Sequence, residues 1–94
     1  MALLITHFFE GGTEDQYRKV VAKAHPAEGL PAGQRYHAAG PTEGGWLIVA
    51  VWDSREAFDS FVHDTLVPVL QSTEGGFTAP PQERVAEVAN LVTA

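Results

Sequence analysis

Gly45-Trp46-Leu47-Ile48-Val49-Ala50-Val51-Trp52 reads as a β-strand with no polar side. Strand side chains alternate between faces, so Trp46, Ile48, Ala50 and Trp52 point one way and Leu47, Val49 and Val51 the other. A strand with water on one side alternates apolar with polar, and this one does not. The segment 2–9 repeats the pattern: Leu3, Ile5, His7 and Phe9 oppose Leu4, Thr6 and Phe8. Two such strands demand cover on both faces of their sheet.

The neighbouring segments supply the rest of the fold. Upstream of Gly45, residues 34–39 alternate loosely as a second strand. The run Gly40-Pro41-Thr42-Glu43-Gly44-Gly45 is turn chemistry, which makes a hairpin. Downstream, Asp53 or Ser54 offers a helix N-cap, and Asp53 with Glu56 has capping-box spacing. Phe58, Phe61, Val62, Thr65, Leu66 and Val69 then form an apolar stripe, and Pro68 predicts a kink or a separate last turn. Near the N-terminus, Gly11-Gly12 ends the first strand and Thr13 stands at an N-cap before Glu14 and Asp15. Tyr17, Val20, Val21 and Ala24 fall at helical spacing, and Pro26 stops a helix over about 13–25. Residues 72–82 form a Gly- and Pro-rich loop, and 83–92 a fourth strand.

The order is βαββαβ over residues 1–94. It predicts one α+β, ferredoxin-like domain, with two helices on one face of a four-stranded antiparallel sheet. Two helices cover only one face. The other is expected to meet a second copy, making a homodimer. The alternative is a monomer whose loops, 27–33 and 72–82, fold over the back.

Composition narrows the partners. Ninety-four residues bury only roughly 60–65 % of the surface exposed by the unfolded chain, so association is a natural remedy. No cysteine is present, which excludes disulfides, thiolate nucleophiles and Cys-based zinc sites. Twelve acidic against six scattered basic residues, a net charge of −6, argue against nucleic acid. The longest apolar run, Trp46 to Trp52, is far short of the ~20 residues of a membrane span. The segment 1–9 lacks a basic region and is broken by Thr6 and His7, so a cytoplasmic location is the expectation.

His7 is the sharpest candidate for chemistry, a titratable ring inside an apolar strand. Burial favours neutral imidazole, which suits a general base. His37 is a second catalytic candidate if its strand aligns with the first; alternation puts Arg35 and His37 on one face and Tyr36 on the other. Each is also readable as a structural histidine. His63, four residues after Asp59, fits surface pairing as well as a pocket. His25 before Pro26 reads as a helix-end residue. Phe9, Trp52, Phe58 and Phe61 either wall an aromatic pocket or fill a core. Arg84 and Asn90 are candidates for orienting a carbonyl or an anion. No metal-ligand spacing and no phosphate loop is present, so neither a metal nor a phosphate cofactor is expected.

The junction Val51-Trp52-Asp53-Ser54-Arg55-Glu56-Ala57-Phe58 resembles the dimeric α/β-barrel superfamily, and within it the antibiotic-biosynthesis-monooxygenase-like group. There a strand ending in Val-Trp, a polar residue, Ser, two variable residues and Ala-Phe recurs. Element order and length agree along nearly the whole chain. The resemblance implies a homodimer with a mainly apolar pocket in each subunit. Within this superfamily occur cofactor-independent oxygenation of aromatic polyketides, haem degradation, cyclisation and isomerisation. Haem-degrading members carry a strand-1 Asn, a mid-helix Trp and a later His. Those positions hold His7, Phe61 and roughly Gln71 here, which argues against haem degradation. Polyketide cyclases of the group carry a strand-1 His, matched by His7, and a His-Pro-x-His segment. Only its first His is kept, as His63, and its acting His falls on Leu66.

The expectation is therefore a cofactor-independent monooxygenase acting on an aromatic or polyketide-like molecule, with His7 and His37 catalytic. Phe9, Tyr36, Trp52, Phe61 and His63 are the expected substrate contacts. A cyclase, isomerase or lyase using the same pocket stays open, as does a non-catalytic binding or stress-related dimer.

Overall fold

A computed structural model describes residues 1–27 and 29–94. The elements are β1 (Leu3–Glu10), α1 (Glu14–Ala24), β2 (Gln34–Thr42), β3 (Gly45–Trp52), α2 (Arg55–Phe61), a π-helical turn (Val62–Leu66), α3 (Val67–Ser72) and β4 (Gln82–Glu87). The four strands form one antiparallel sheet in the order β2-β3-β1-β4. This is the ferredoxin-like arrangement, with the two doubly apolar strands at the centre.

The element boundaries have local causes. Thr13 caps α1 in a reciprocal box: its Oγ1 accepts from the Gln16 backbone N–H at 3.2 Å, and Gln16 Oε1 accepts from the Thr13 N–H at 3.0 Å. Ser54, not Asp53, caps α2, taking the Ala57 N–H on its Oγ at 3.1 Å. Asp53 is engaged by the Arg35 guanidinium, so its spacing to Glu56 goes unused. The helical run after Ser54 continues through Pro68 to Ser72, and its hydrogen-bond ladder changes just before the proline. Pro68 has no N–H for the Asp64 carbonyl, and the ladder widens one residue earlier, where the Val67 N–H reaches the Val62 carbonyl.

Two strand limits differ from the sequence reading by more than one residue. β2 continues through Gly40 and Pro41 to Thr42, leaving Glu43-Gly44 as a two-residue turn. As an edge strand, β2 tolerates a proline without a ladder donor. β4 ends at Glu87 rather than near 92, because its partner β1 begins at Leu3. One further bond, Val88 N–H to the Ala2 carbonyl at 2.9 Å, is the last.

Gly45, opposite Glu10, is a position that only glycine fits. A Cβ there would stand 2.1 Å from the Phe9 carbonyl oxygen. Gly45→Ala is expected to push β3 off β1 and to destabilise the fold by roughly 2–4 kcal/mol in urea unfolding.

The core lies between sheet and helices. Leu3, Ile5, Ala50, Trp52 and Phe58 form its centre, with Phe61, Val62 and Val85 against them. Two loop residues also lie on this side. Phe77 stacks on Phe9 with ring centroids 3.8 Å apart, and Gly33 comes against Ala57 of α2. Neither Phe77 nor Gly33 covers the back of the sheet. Leu4 is 37 % and Tyr36 48 % exposed there, beside half-buried Phe8, Leu47 and Val49. No helix among the described residues is long and apolar enough to cross a membrane.

Candidate functional site

The helix-facing side of the sheet floors a small cavity of about 50 Å³. Ile5, Phe9, Ile48, Ala50 and Trp52 are its apolar floor, and Phe58, Phe61, Leu66, Leu70 and Phe77 close it from above. Among the described residues, polar groups enter at two ends.

At the β4 end stands His7, buried and on the helix-facing side of β1. Register sets it opposite Glu83 of β4, and its Nε2 lies 2.8 Å from Glu83 Oε2. Glu83 is half exposed, so water still solvates the carboxylate. A carboxylate is an acceptor only, so the Nε2–H donates to it. In the neutral ring the remaining lone pair is then on Nδ1. The ring is held edge-on to Phe9 and beside Phe58, at centroid distances of 6.4 and 6.3 Å.

At the β2 end, His37 forms a separate network. Its Nδ1 lies 2.8 Å from Gln34 Oε1 and its Nε2 2.6 Å from the Tyr17 hydroxyl of α1. Residues three apart on a regular strand face opposite sides. Here a register shift between Gln34 and Tyr36 turns both Gln34 and His37 toward the helices. The extra residue, Arg35, leaves the ladder and turns outward to Asp53. His25, at the C-cap of α1, sets its ring edge-on to His37 at 4.7 Å. Trp46 packs against Tyr17 at 5.2 Å.

Burial, and then the charge of His25, push the His37 imidazole down to about 4. Burial also lowers His25. The Tyr17 phenol is raised by burial, with Arg18 opposing. Near neutral pH this end is uncharged. The unfolded chain takes up a proton near pH 6.5 that folded His37 refuses until about pH 4. Stability is thus full above pH 6.5, falls as pH drops through that window and levels off below it. Solvent screening leaves about 2 kcal/mol of that loss to His37. His37→Gln is expected to flatten the slope, read by urea unfolding at pH 4 to 7.

His7 and His37 share a face but do not meet. β3 lies between them and their levels differ by two residues, which sets their Cα atoms roughly 12 Å apart. Phe9, Trp52 and Phe61 line the cavity with them. Tyr36 does not, since it projects from the back of the sheet opposite Val51. His63 is fully outside, on the exposed side of the π-helical turn, and bonds Asp64. The sequence reading leaves out Glu83, Tyr17, Gln34 and the inward turn of His25. Among the described residues no group of three or more His, Asp or Glu side chains could hold a metal ion.

No family model and no curated protein matches the sequence. Solved structures do. A candidate antibiotic biosynthesis monooxygenase from Chloroflexus aurantiacus superposes with a TM-score of 0.70 at 8 % identity, covering 99 % of this chain and 98 % of that one. The chain has the antibiotic-biosynthesis-monooxygenase fold. Two further neighbours share it. SnoaB, a cofactor-independent oxygenase from Streptomyces nogalater, gives 0.62 at 14 % identity over 99 % and 97 % of the two chains. A monooxygenase from the gene ActVA-Orf6 of Streptomyces coelicolor, in complex with nanaomycin D, gives 0.60 at 16 % identity over 99 % and 91 %. At such identities the likeness is one of fold, and the site must be argued from its own residues.

Proposed function

We propose that this protein is a cofactor-independent monooxygenase of an aromatic, polyketide-like small molecule, and that His7 is its general base. The observation that carries the reading is a buried imidazole, backed by a carboxylate, at one end of a cavity whose floor and roof are apolar. Nδ1 takes a proton from an acidic C–H or O–H of the substrate, and Glu83 faces the positive charge that develops on the ring. The apolar walls hold the ring system and strengthen that interaction by excluding water. The electron-rich carbanion then passes an electron to dioxygen and combines with it. Loss of water leaves one oxygen atom on the substrate as a carbonyl and takes the other with the two hydrogens of the original methylene.

Support comes from the neighbours of the same fold, one a cofactor-independent oxygenase and one bound to nanaomycin D. His37 is a poor base by this reasoning, because its imidazole takes up a second ring proton only as the pH falls to about 4. It serves binding instead. A multi-ring substrate occupies a few hundred Å³, so Phe77 and the side chains of α3 must move when it enters. Oxygen uptake with anthrone as substrate tests the proposal. Anthrone turned over with one dioxygen consumed per quinone formed supports it; a product without oxygen consumption makes the protein a cyclase or isomerase, and no turnover leaves a binding protein.

The homodimer belongs to the same proposal. A second copy of the sheet is the cover that best matches a back face bearing Leu4, Phe8, Leu47 and Val49. Sedimentation equilibrium at micromolar concentration is expected to give twice the chain mass, and Val49→Lys to halve it. A wild-type monomer would refute the pairing.

A further inference from the structure

The polar end at β2 is not used by the proton abstraction at His7, yet it is the more elaborately held of the two. Its hydrogen bonds have a direction. The Gln34 carbonyl oxygen at 2.8 Å is an acceptor, so His37 Nδ1 carries the proton. The neutral ring therefore has a lone pair on Nε2, and the Tyr17 hydroxyl at 2.6 Å must donate to it. A phenol has one proton. With that proton directed to His37, Tyr17 has only oxygen lone pairs left for a ligand.

We propose that Tyr17 is a specificity-determining residue of the cavity and that it accepts a hydrogen bond from a ligand hydroxyl, selecting phenols and enols over their ethers. The inference rests on the cavity being a site for aromatic molecules. The chain runs ligand O–H to Tyr17, Tyr17 O–H to His37, and His37 N–H to Gln34. The two links within the protein are built in. The β2 bulge exists between Gln34 and Tyr36, and it is what lets Gln34 reach His37. Gln34 is buried, and Trp46 packs against the Tyr17 ring at 5.2 Å. Around this end the walls are Val20, Val21 and Ala24, with the His25 ring edge-on to His37. A ligand carrying only an ether oxygen here sets acceptor against acceptor.

Isothermal titration calorimetry with 1-naphthol and with 1-methoxynaphthalene, which differ only in the donor proton and the methyl group that replaces it, tests this. Wild-type protein is expected to prefer the naphthol roughly 5- to 20-fold, the worth of one neutral hydrogen bond in a dry site. Tyr17→Phe is expected to reduce the ratio to within about twofold. A second reading needs no variant: naphthol should shift the His37 Nε2 resonance in ¹⁵N NMR of the wild-type protein, and its methyl ether should not. Equal affinities, or an unmoved Nε2 resonance, would overturn the donor preference and leave the cavity's proposed role standing. A preference that survives in Tyr17→Phe would overturn its assignment to Tyr17. Failure of both probes to bind would remove this inference together with the reading beneath it.

Discussion

His7→Ala is expected to lower kcat for oxygenation by about 10²–10⁴-fold, the usual contribution of a positioned general base. The ring is buried against Phe9 and Phe58 with Nε2 on Glu83, so its replacement removes the basic nitrogen that the described residues place at that end of the cavity. KM should change much less, because ring binding is shared among Phe9, Trp52 and Phe61. Glu83 acts through His7 and is a positioning residue. Glu83→Gln keeps an acceptor for the Nε2–H, so it should cost less than Glu83→Ala. Steady-state oxygen uptake on the three variants checks the order His7→Ala, then Glu83→Ala, then Glu83→Gln. Activity in His7→Ala within a fewfold of wild type would remove the proposed base.

Trp52→Ala should have the largest effect on stability, a loss of roughly 3–5 kcal/mol in urea unfolding. Trp52 is 1 % exposed and ends the central strand β3. Its indole lies against Phe58 at 5.8 Å and Phe61 at 5.0 Å, so it ties the sheet to α2. A chain of this size has about 5–14 kcal/mol in total, so the truncation removes a large share. The sheet floor is paired on both sides of Trp52, with Leu3 and Gln34, and cannot collapse to fill the void. Trp52→Phe, which keeps a ring there, should cost well under half as much. A Trp52→Ala protein within 1 kcal/mol of wild type would show that this residue is not the junction of sheet and helix.

The central architecture is legible because strands apolar on both faces have few alternatives. Gly45–Trp52 is a strand over the whole span its sequence marks, and Thr13 and Ser54 cap the helices they precede. What stays hidden is information that no single segment carries. Glu83 belongs to His7 only through the register of β4 on β1, which is a long-range pairing. Gln34 belongs to His37 only through a bulge, and strict alternation puts those two on opposite faces. Tyr17 has the spacing of a core residue, and nothing local marks its hydroxyl as bonded. His25 has the position of a helix end and is one, but the end of α1 sits over β2. A partial motif draws His63 toward the pocket; one position off the apolar stripe, it faces outward.

Proton removal by His7 can be watched apart from any later reaction with oxygen. In D₂O without dioxygen, the methylene protons of anthrone should exchange for deuterium faster with wild-type protein than with buffer, followed by ¹H NMR. His7→Ala should return the exchange to the buffer rate. Exchange that is equal in the two proteins, or absent from a wild-type sample that oxidises anthrone in air, would contradict the assignment of the base.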